Sequence, residues 1–279
     1  MKLNSVQLRS YAENGFLLVK RVFFNQEINT LLQVLDKAIE DYKVDSVGLE
    51  GLVLEEDQES IRTINGLHLK YDIFRQLCCY SDLVLSAQQL IDDNNLYVHQ
   101  FKVNFKEAFT GDIWNWHQDY IYWLKGDGMP EPRAISVAIF LDDVTEFNGP
   151  LMFIPKSHTV GVVDVESQQI NSDQSDWISN VTAKLRYTAT KEVITKLVKK
   201  WGITAPKAKK GSVLFFNSNI LHASGSNLSP FSRRFILITY NPVSNVNANL
   251  CKTRPEFLAA RDFTPISIES GFIEKKVMK

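Results

Sequence analysis

The chain is poor in the features that mark secretion, membrane insertion and nucleic-acid binding. It has only three cysteines, Cys78, Cys79 and Cys251, an odd count without zinc-ligand spacing. Adjacent Cys78 and Cys79 in an apolar stretch read as free thiols, and a reducing, cytoplasmic setting is expected. No uninterrupted apolar run approaches the roughly 18 residues of a membrane helix, and Met1-Lys2-Leu3-Asn4-Ser5 has no signal-like core, so neither a span nor a leader is expected. Charge of one sign is lacking as well. Lys plus Arg number 31 against 32 Asp plus Glu, a net charge of -1, which gives no electrostatic reason for a nucleic-acid or anionic-membrane partner. The basic run Lys196 to Lys210 reads as solvated surface. Repeats and low-complexity segments are missing too. A chain of 279 residues, 44% hydrophobic, then fits one large globular domain with a small-molecule partner; oligomeric state is not legible.

Ser5 is the expected N-cap of a helix through Ala12, with Asn14-Gly15 as its stop and Phe16 to Val19 as a strand. Apolar Ile28, Leu31, Leu32, Leu35 and Ile39 give Asn25 to Tyr42 a helical period, and Asp82 to Asp92 has another. Asp45 to Ser60 is acidic and irregular, an expected loop. From Tyr97 the chain turns to β: Tyr97 to Phe105, Ile135 to Leu141, Leu151 to Ile154, Ser212 to Phe216 and Arg234 to Tyr240. The long insertion between His158 and Gly211, with a helix over Lys191 to Trp201, has the length of a lid or binding element. Helices followed by many short strands suggest a mainly β fold with a helical support layer, a double-stranded β-helix or cupin-like jelly roll. The expected division is a helical layer over about 1–95, a jelly-roll core over about 96–245 with insertion 159–210, and a C-terminal extension over 246–279.

Trp116-His117-Gln118-Asp119, answered by Leu221-His222-Ala223-Ser224-Gly225 and then Arg233, is the chemical signal. Two histidines and a carboxylate can occupy one face of an octahedral metal, the arrangement of non-haem Fe(II) oxygenases, leaving the opposite face open. On an extended strand, residues two apart point to the same side, which would bring His117 and Asp119 to one ion. Arg233, eleven residues after His222, is the expected counter-ion for a dicarboxylate cosubstrate, because guanidinium pairs with carboxylate bidentately. Strand alternation lets only one of Arg233 and Arg234 face inward. His158 is expected to stabilise a turn, and His68 and His99 to be structural.

The stretches Trp116 to Trp123, Asp127-Gly128-Met129-Pro130, Arg133 to Ser136 and Asn148-Gly149-Pro150-Leu151-Met152-Phe153-Ile154-Pro155-Lys156-Ser157-His158 resemble the phytanoyl-CoA hydroxylase family, and within it the ectoine hydroxylases. The resemblance implies Fe(II), 2-oxoglutarate and dioxygen, and hydroxylation of an unactivated C–H bond. It places iron on His117, Asp119 and His222, and 2-oxoglutarate on Arg233, Ser224 and Asn104. Gln100, Trp123 and Phe216 would line the substrate space. Ectoine hydroxylases carry an acid two residues after the metal aspartate, where this chain has Ile121. With Tyr120, Tyr122 and Trp123 clustered, the expected substrate is a small polar heterocycle of secondary metabolism, with likeness extending to toxin-tailoring, cylindrospermopsin-type alkaloid hydroxylases. Desaturation or ring closure on the same scaffold, and a non-catalytic jelly-roll binder, stay open as other readings. Halogenation is disfavoured, because a carboxylate occupies the coordination position that halide needs.

Overall fold

In a computed structural model of the chain, residues 1–44, 51–167, 182, 185–246 and 254–269 are described. Residues 45–50 of the acidic loop, 168–181 and 183–184 of the insertion, and 247–253 (with Cys251) and 270–279 of the C-terminal extension lie outside them.

Helix α1 (Ser5–Asn14) is capped by Asn4 rather than by Ser5: Asn4 accepts from Val6 and Gln7, and Gln7 returns a bond to the Asn4 backbone. Asn and Ser cap about equally well, and Gln three residues on favours Asn4 as the partner of a capping box. Gly15, at φ +80°, ends the helix in the left-handed conformation that glycine adopts freely. There follow β1 (Phe16–Val19), α2 (Asn25–Val44), β2 (Leu52–Leu54), β3 (Ile61–Asn65), α3 (Leu67–Lys70), α4 (Asp72–Cys78) and α5 (Ser81–Ile91). The expected acidic loop therefore contains a strand, β2, paired with β3. Next come β4 (Leu96–Lys106), β5 (Trp114–His117), α6 (Asp119–Asp127), β6 (Ile135–Phe140), β7 (Leu151–Phe153), β8 (Val165–Ser167), β9 (Tyr187–Ala189), α7 (Lys191–Trp201), β10 (Val213–Asn217), β11 (His222–Ser224) and β12 (Arg233–Pro242).

A seven-stranded antiparallel sheet, ordered β1-β10-β6-β12-β4-β3-β2, faces a three-stranded sheet ordered β5-β11-β7. This is the jelly roll, and the larger sheet has two different faces. Phe101, Val103 and Phe105 of β4, Val137 and Ile139 of β6, and Ile236 and Ile238 of β12 pack under Ile28, Leu31 and Leu35 of α2. Burying each such side chain stabilises the fold by roughly 1.5–3 kcal/mol, so the helices and this face of the sheet share one core. Alternation turns the intervening residues into the lumen between the sheets. On β4 these are Gln100, Lys102, Asn104 and Lys106, a polar row set in register with Thr239, Leu237, Phe235 and Arg233 of β12. The lumen thus has one greasy wall, with Phe140, Phe153, Leu214, Phe216 and Phe235, and one polar wall. Among the described residues no helix is long and apolar enough to cross a membrane.

Candidate metal and cosubstrate site

β5 ends at His117, and Asp119 is the first residue of α6, so the expectation that both sit on one strand is corrected. The convergence survives because Gln118 between them is extended, at φ -111° and ψ 132°. Side chains on either side of an extended residue point the same way. His222 opens β11 and is the cross-strand partner of His117. The ligand atoms of His117, Asp119 and His222 all lie within 4.8 Å of one another, and all three residues are buried.

Both histidines are held for ligation. His117 Nδ1 lies 2.6 Å from the Asn115 carbonyl and His222 Nδ1 lies 3.1 Å from that of Ile220. A carbonyl accepts only from N–H, so each Nδ1 carries the proton and each Nε2 offers a lone pair. Those Nε2 atoms stand 3.6 and 3.8 Å from the same oxygen of Asp119, while Ser136 Oγ donates to the other oxygen at 3.4 Å. Burial pushes the Asp119 carboxyl upward, yet Lys102, His222 and His117 outweigh it and hold the group well below the usual carboxylate range. Burial, with His117 adding to it, lowers His222 to about 4. At neutral pH Asp119 is a carboxylate and His222 a neutral imidazole, donors of the kind a divalent cation requires.

Arg233 is 2% exposed and sits at the start of β12 in the same lumen. Its guanidinium donates to the Gly149 carbonyl at 2.5 Å and to Ser224 Oγ at 3.1 Å, and lies 4.1 Å over the Phe235 ring. Its Nε is buried without a hydrogen-bond partner, and none of the ion pairs among the described residues includes it. Burial lowers its pKa to about 9. Arg234 points the other way, 23% exposed, and grips Asp142 through two nitrogens at 2.8 and 2.9 Å. A buried cation whose hydrogen-bond partners are all neutral is stabilised by an anion, and Arg233 therefore fits a carboxylate ligand. Asn104 Oδ1, another buried atom without a partner, is two positions along β4 from Lys106.

Lys106 was not anticipated, because lysine is rarely buried. It is fully buried, and its Nζ donates to the carbonyls of Asp112 and, at 2.7 Å, of Gly225. Burial first, then Arg233 and Arg62, lowers its pKa to about 6. Gly149 joins these groups: at φ +69°, a Cβ there would meet the Gly225 carbonyl at 2.7 Å and the Lys106 chain at 3.3 Å. The turn Asn148-Gly149-Pro150 therefore needs glycine to bring its carbonyl against Arg233. Ser224 Oγ donates to that same carbonyl at 3.1 Å.

The three residues expected to line substrate are placed differently from one another. Phe216 is fully buried in the lumen, 5.2 Å from the His222 ring and against Phe153. Gln100 faces the lumen but spends its Nε2 on the Leu258 carbonyl at 3.0 Å, which ties the C-terminal segment to β4. Trp123, one helical turn beyond Asp119, stands edge-on to His99 at 5.4 Å. Tyr122 shoulders His117, and its hydroxyl donates to the Tyr187 carbonyl at 2.7 Å, bringing β9 of the insertion to the site. His99 belongs to a buried chain in which Asp127 pairs with His99 at 3.1 Å and with Arg254. His158, expected to stabilise its own turn, instead reaches across to the Ala12 carbonyl of α1 at 3.1 Å. In the basic run, Lys207 and Lys209 pair with Glu146 and Asp143 at the surface.

A jelly-roll lumen holding a buried His/Asp/His cluster beside an uncompensated arginine defines the class of non-haem Fe(II) enzymes that take a dicarboxylate cosubstrate. Comparison with known proteins agrees. Residues 11–235 match the phytanoyl-CoA dioxygenase (PhyH) family. The L-proline trans-4-hydroxylase of Streptomyces griseoviridis is 35% identical over 92% of both chains. The ectoine dioxygenase of Streptomyces avermitilis is 31% identical over 95% of this chain and 88% of that one. EctD from S. alaskensis with bound Fe superposes with a TM-score of 0.79 at 28% identity, covering 96% of this chain and 88% of that one. The same enzyme with 2-oxoglutarate and 5-hydroxyectoine gives 0.77 at 29% identity, with the same coverage. The chain belongs to the phytanoyl-CoA dioxygenase family. It is a 2-oxoglutarate-dependent dioxygenase, with iron, 2-oxoglutarate and dioxygen as its cofactor and cosubstrates.

Proposed function

We propose that the chain hydroxylates a C–H bond of a small, polar, heterocyclic metabolite, with Fe(II) on His117, Asp119 and His222 and 2-oxoglutarate on Arg233, Ser224 and Asn104. The carrying observation is that the cluster of three ligands and the unpaired Arg233 share one buried lumen. Iron and 2-oxoglutarate supply the oxidation when bound: the keto acid loses carbon dioxide to become succinate, and dioxygen furnishes one oxygen atom to each product. The protein supplies geometry. The Asn115 and Ile220 carbonyls aim the two imidazoles, and Ser136 steadies the far oxygen of Asp119. Arg233 anchors the distal carboxylate, Ser224 orients the guanidinium, and the Lys106 amine beside them takes up a proton as the dianion binds. Phe216 and Phe153 keep water from the wall next to His222.

Gln100, Trp123 and Phe216 are the proposed substrate contacts. The relatives named for L-proline and ectoine both act on small ring compounds that carry a carboxylate and a nitrogen, and Ile121 in place of an acid argues for a substrate other than ectoine. A place in secondary metabolism, alkaloid tailoring included, is the finer reading, supported by the sequence likeness alone. We read the chain as one catalytic domain and place it in the cytoplasm, in keeping with the free thiols of Cys78 and Cys79. The test is succinate release from 2-oxoglutarate with Fe(II) across a panel of cyclic amino and imino acids. At least one should stimulate release and gain a hydroxyl; stimulation by none, with full iron loading, refutes the substrate class.

A further inference from the structure

Gln118 lies between two of the ligands yet has no place in the scheme above. It is 1% exposed, and its extended backbone turns its side chain away from His117 and Asp119. The amide is used almost completely. Nε2 donates to the Asn219 carbonyl at 2.6 Å and to the Gly161 carbonyl at 2.9 Å, and Oε1 accepts from Val163 N at 3.0 Å. An amide has two N–H donors and one oxygen, so all three functions are committed.

Those partners belong to two other segments. Asn219 lies in the turn between β10 and β11, three residues before His222. Gly161 and Val163 form the root of the insertion, just past Ser157–Val160. The three ligands thus come from two pieces of chain, 117–119 and 219–222, and few bonds fix one against the other. The ladder between β5 and β11 pairs His222 with His117 and then shifts register. On the Asp119 side the ties are Tyr120 N to the Ser218 carbonyl at 2.9 Å and the Gln118 amide.

We propose that Gln118 is a positioning residue that sets the spacing of the His117–Asp119 pair from His222 and fastens the root of the insertion to that pair. The proposal rests on the three residues being the iron ligands. Groups that orient ligands without touching the metal cost roughly 10–100-fold in metal affinity when removed.

The test is anaerobic titration of the metal-free full chain with Co(II), reading both the dissociation constant and the visible absorption of the bound ion. Gln118→Ala and the volume-matched Gln118→Met should bind about 10–100-fold more weakly with altered absorption, while far-UV circular dichroism stays native. Gln118→Asn, which keeps the amide but shortens its reach, decides if either fails to fold. Asn245→Ala is the control for mere loss of a buried amide: Asn245 is 2% exposed and joins Glu131 to Asn241, touching neither ligand segment. It should lower thermal stability and leave Co(II) affinity and absorption unchanged. Wild-type affinity in the Gln118 variants, or an equal loss in Asn245→Ala, overturns the proposal. Failure of the wild type to bind Co(II), or unaltered binding by His222→Ala, would instead refute the ligand assignment.

Discussion

Arg233→Ala should abolish tight 2-oxoglutarate binding, and the size of the loss can be worked from the site. The guanidinium is 2% exposed, makes two bonds to neutral acceptors and keeps Nε free. The cosubstrate's far carboxylate would complete a buried ion pair. Removing one partner of such a pair costs about 3–5 kcal/mol, and each 1.4 kcal/mol is tenfold, so affinity should fall by roughly two to three and a half orders of magnitude. Arg234→Ala serves as the matched control. It loses a partly exposed pair with Asp142, worth up to about 1 kcal/mol of stability, and should leave cosubstrate affinity unchanged because its side chain is directed away from the lumen. The assay is calorimetric titration of 2-oxoglutarate into the anaerobic Fe(II) protein, with the Michaelis constant from succinate formation beside it. A thermal melt adds a second readout. Cosubstrate at about 100 times its dissociation constant should stabilise the wild type by roughly 2.7 kcal/mol, and Arg233→Ala should lose that gain. Equal effects of the two substitutions, or the reverse order, would refute the strand register on which the reasoning stands.

Each of His117→Ala, Asp119→Ala and His222→Ala should lose bound iron and turnover while staying folded, checked by metal analysis and circular dichroism; an iron-replete active His222→Ala would contradict the ligand set. Lys106, lowered to about 6 by burial, is mostly neutral at pH 7.5, so an arriving dianion should raise its pKa and draw in a proton. Titration of 2-oxoglutarate in buffers of different ionisation enthalpy should show that uptake, and Lys106→Met should lose it. The sign for stability runs the same way: between pH 6 and 10 the unfolded chain binds the Lys106 proton and the folded one does not, so the metal-free protein gains stability from this residue as pH rises. Denaturation midpoints across that range should flatten in Lys106→Met. Gly149→Ala, forced onto the Gly225 carbonyl at positive φ, should weaken 2-oxoglutarate binding at least tenfold, or by roughly 1.4 kcal/mol, with little effect on iron; unchanged cosubstrate affinity would show that the turn is not part of the site.

Much of the site was visible in residue spacing because β structure alternates. Gln100 and Asn104 share a face of β4, and Arg233 and Arg234 must oppose each other on β12. Local periodicity likewise gave α2 and α7, the latter to the residue. What the spacing hid depends on tertiary context. Asp119-Tyr120-Ile121-Tyr122-Trp123 is aromatic and branched, a composition typical of strands, yet burial against Met129 and Ala134 makes it helical from Asp119 onward. Lys106 gives no local sign that it is buried; only the crossing of β4 with the Gly149 and Gly225 turns makes it so. The Asp127–Arg254 pair joins residues 127 positions apart, a separation no window along the chain can detect. Gln118 looked like the spacer in a metal motif, and its bonds to Gly161 and Asn219 appear only once three loops are folded together.

The central claim, a 2-oxoglutarate-driven hydroxylation at this iron site, is tested most directly by mass spectrometry of the products formed under ¹⁸O-labelled dioxygen with chloride present. With a stimulating cyclic amino or imino acid as substrate, the account predicts one labelled oxygen in succinate and one in a hydroxylated product, in equal amounts. A chlorinated product, a product lighter by two hydrogens with no oxygen gained, or conversion without succinate would contradict it.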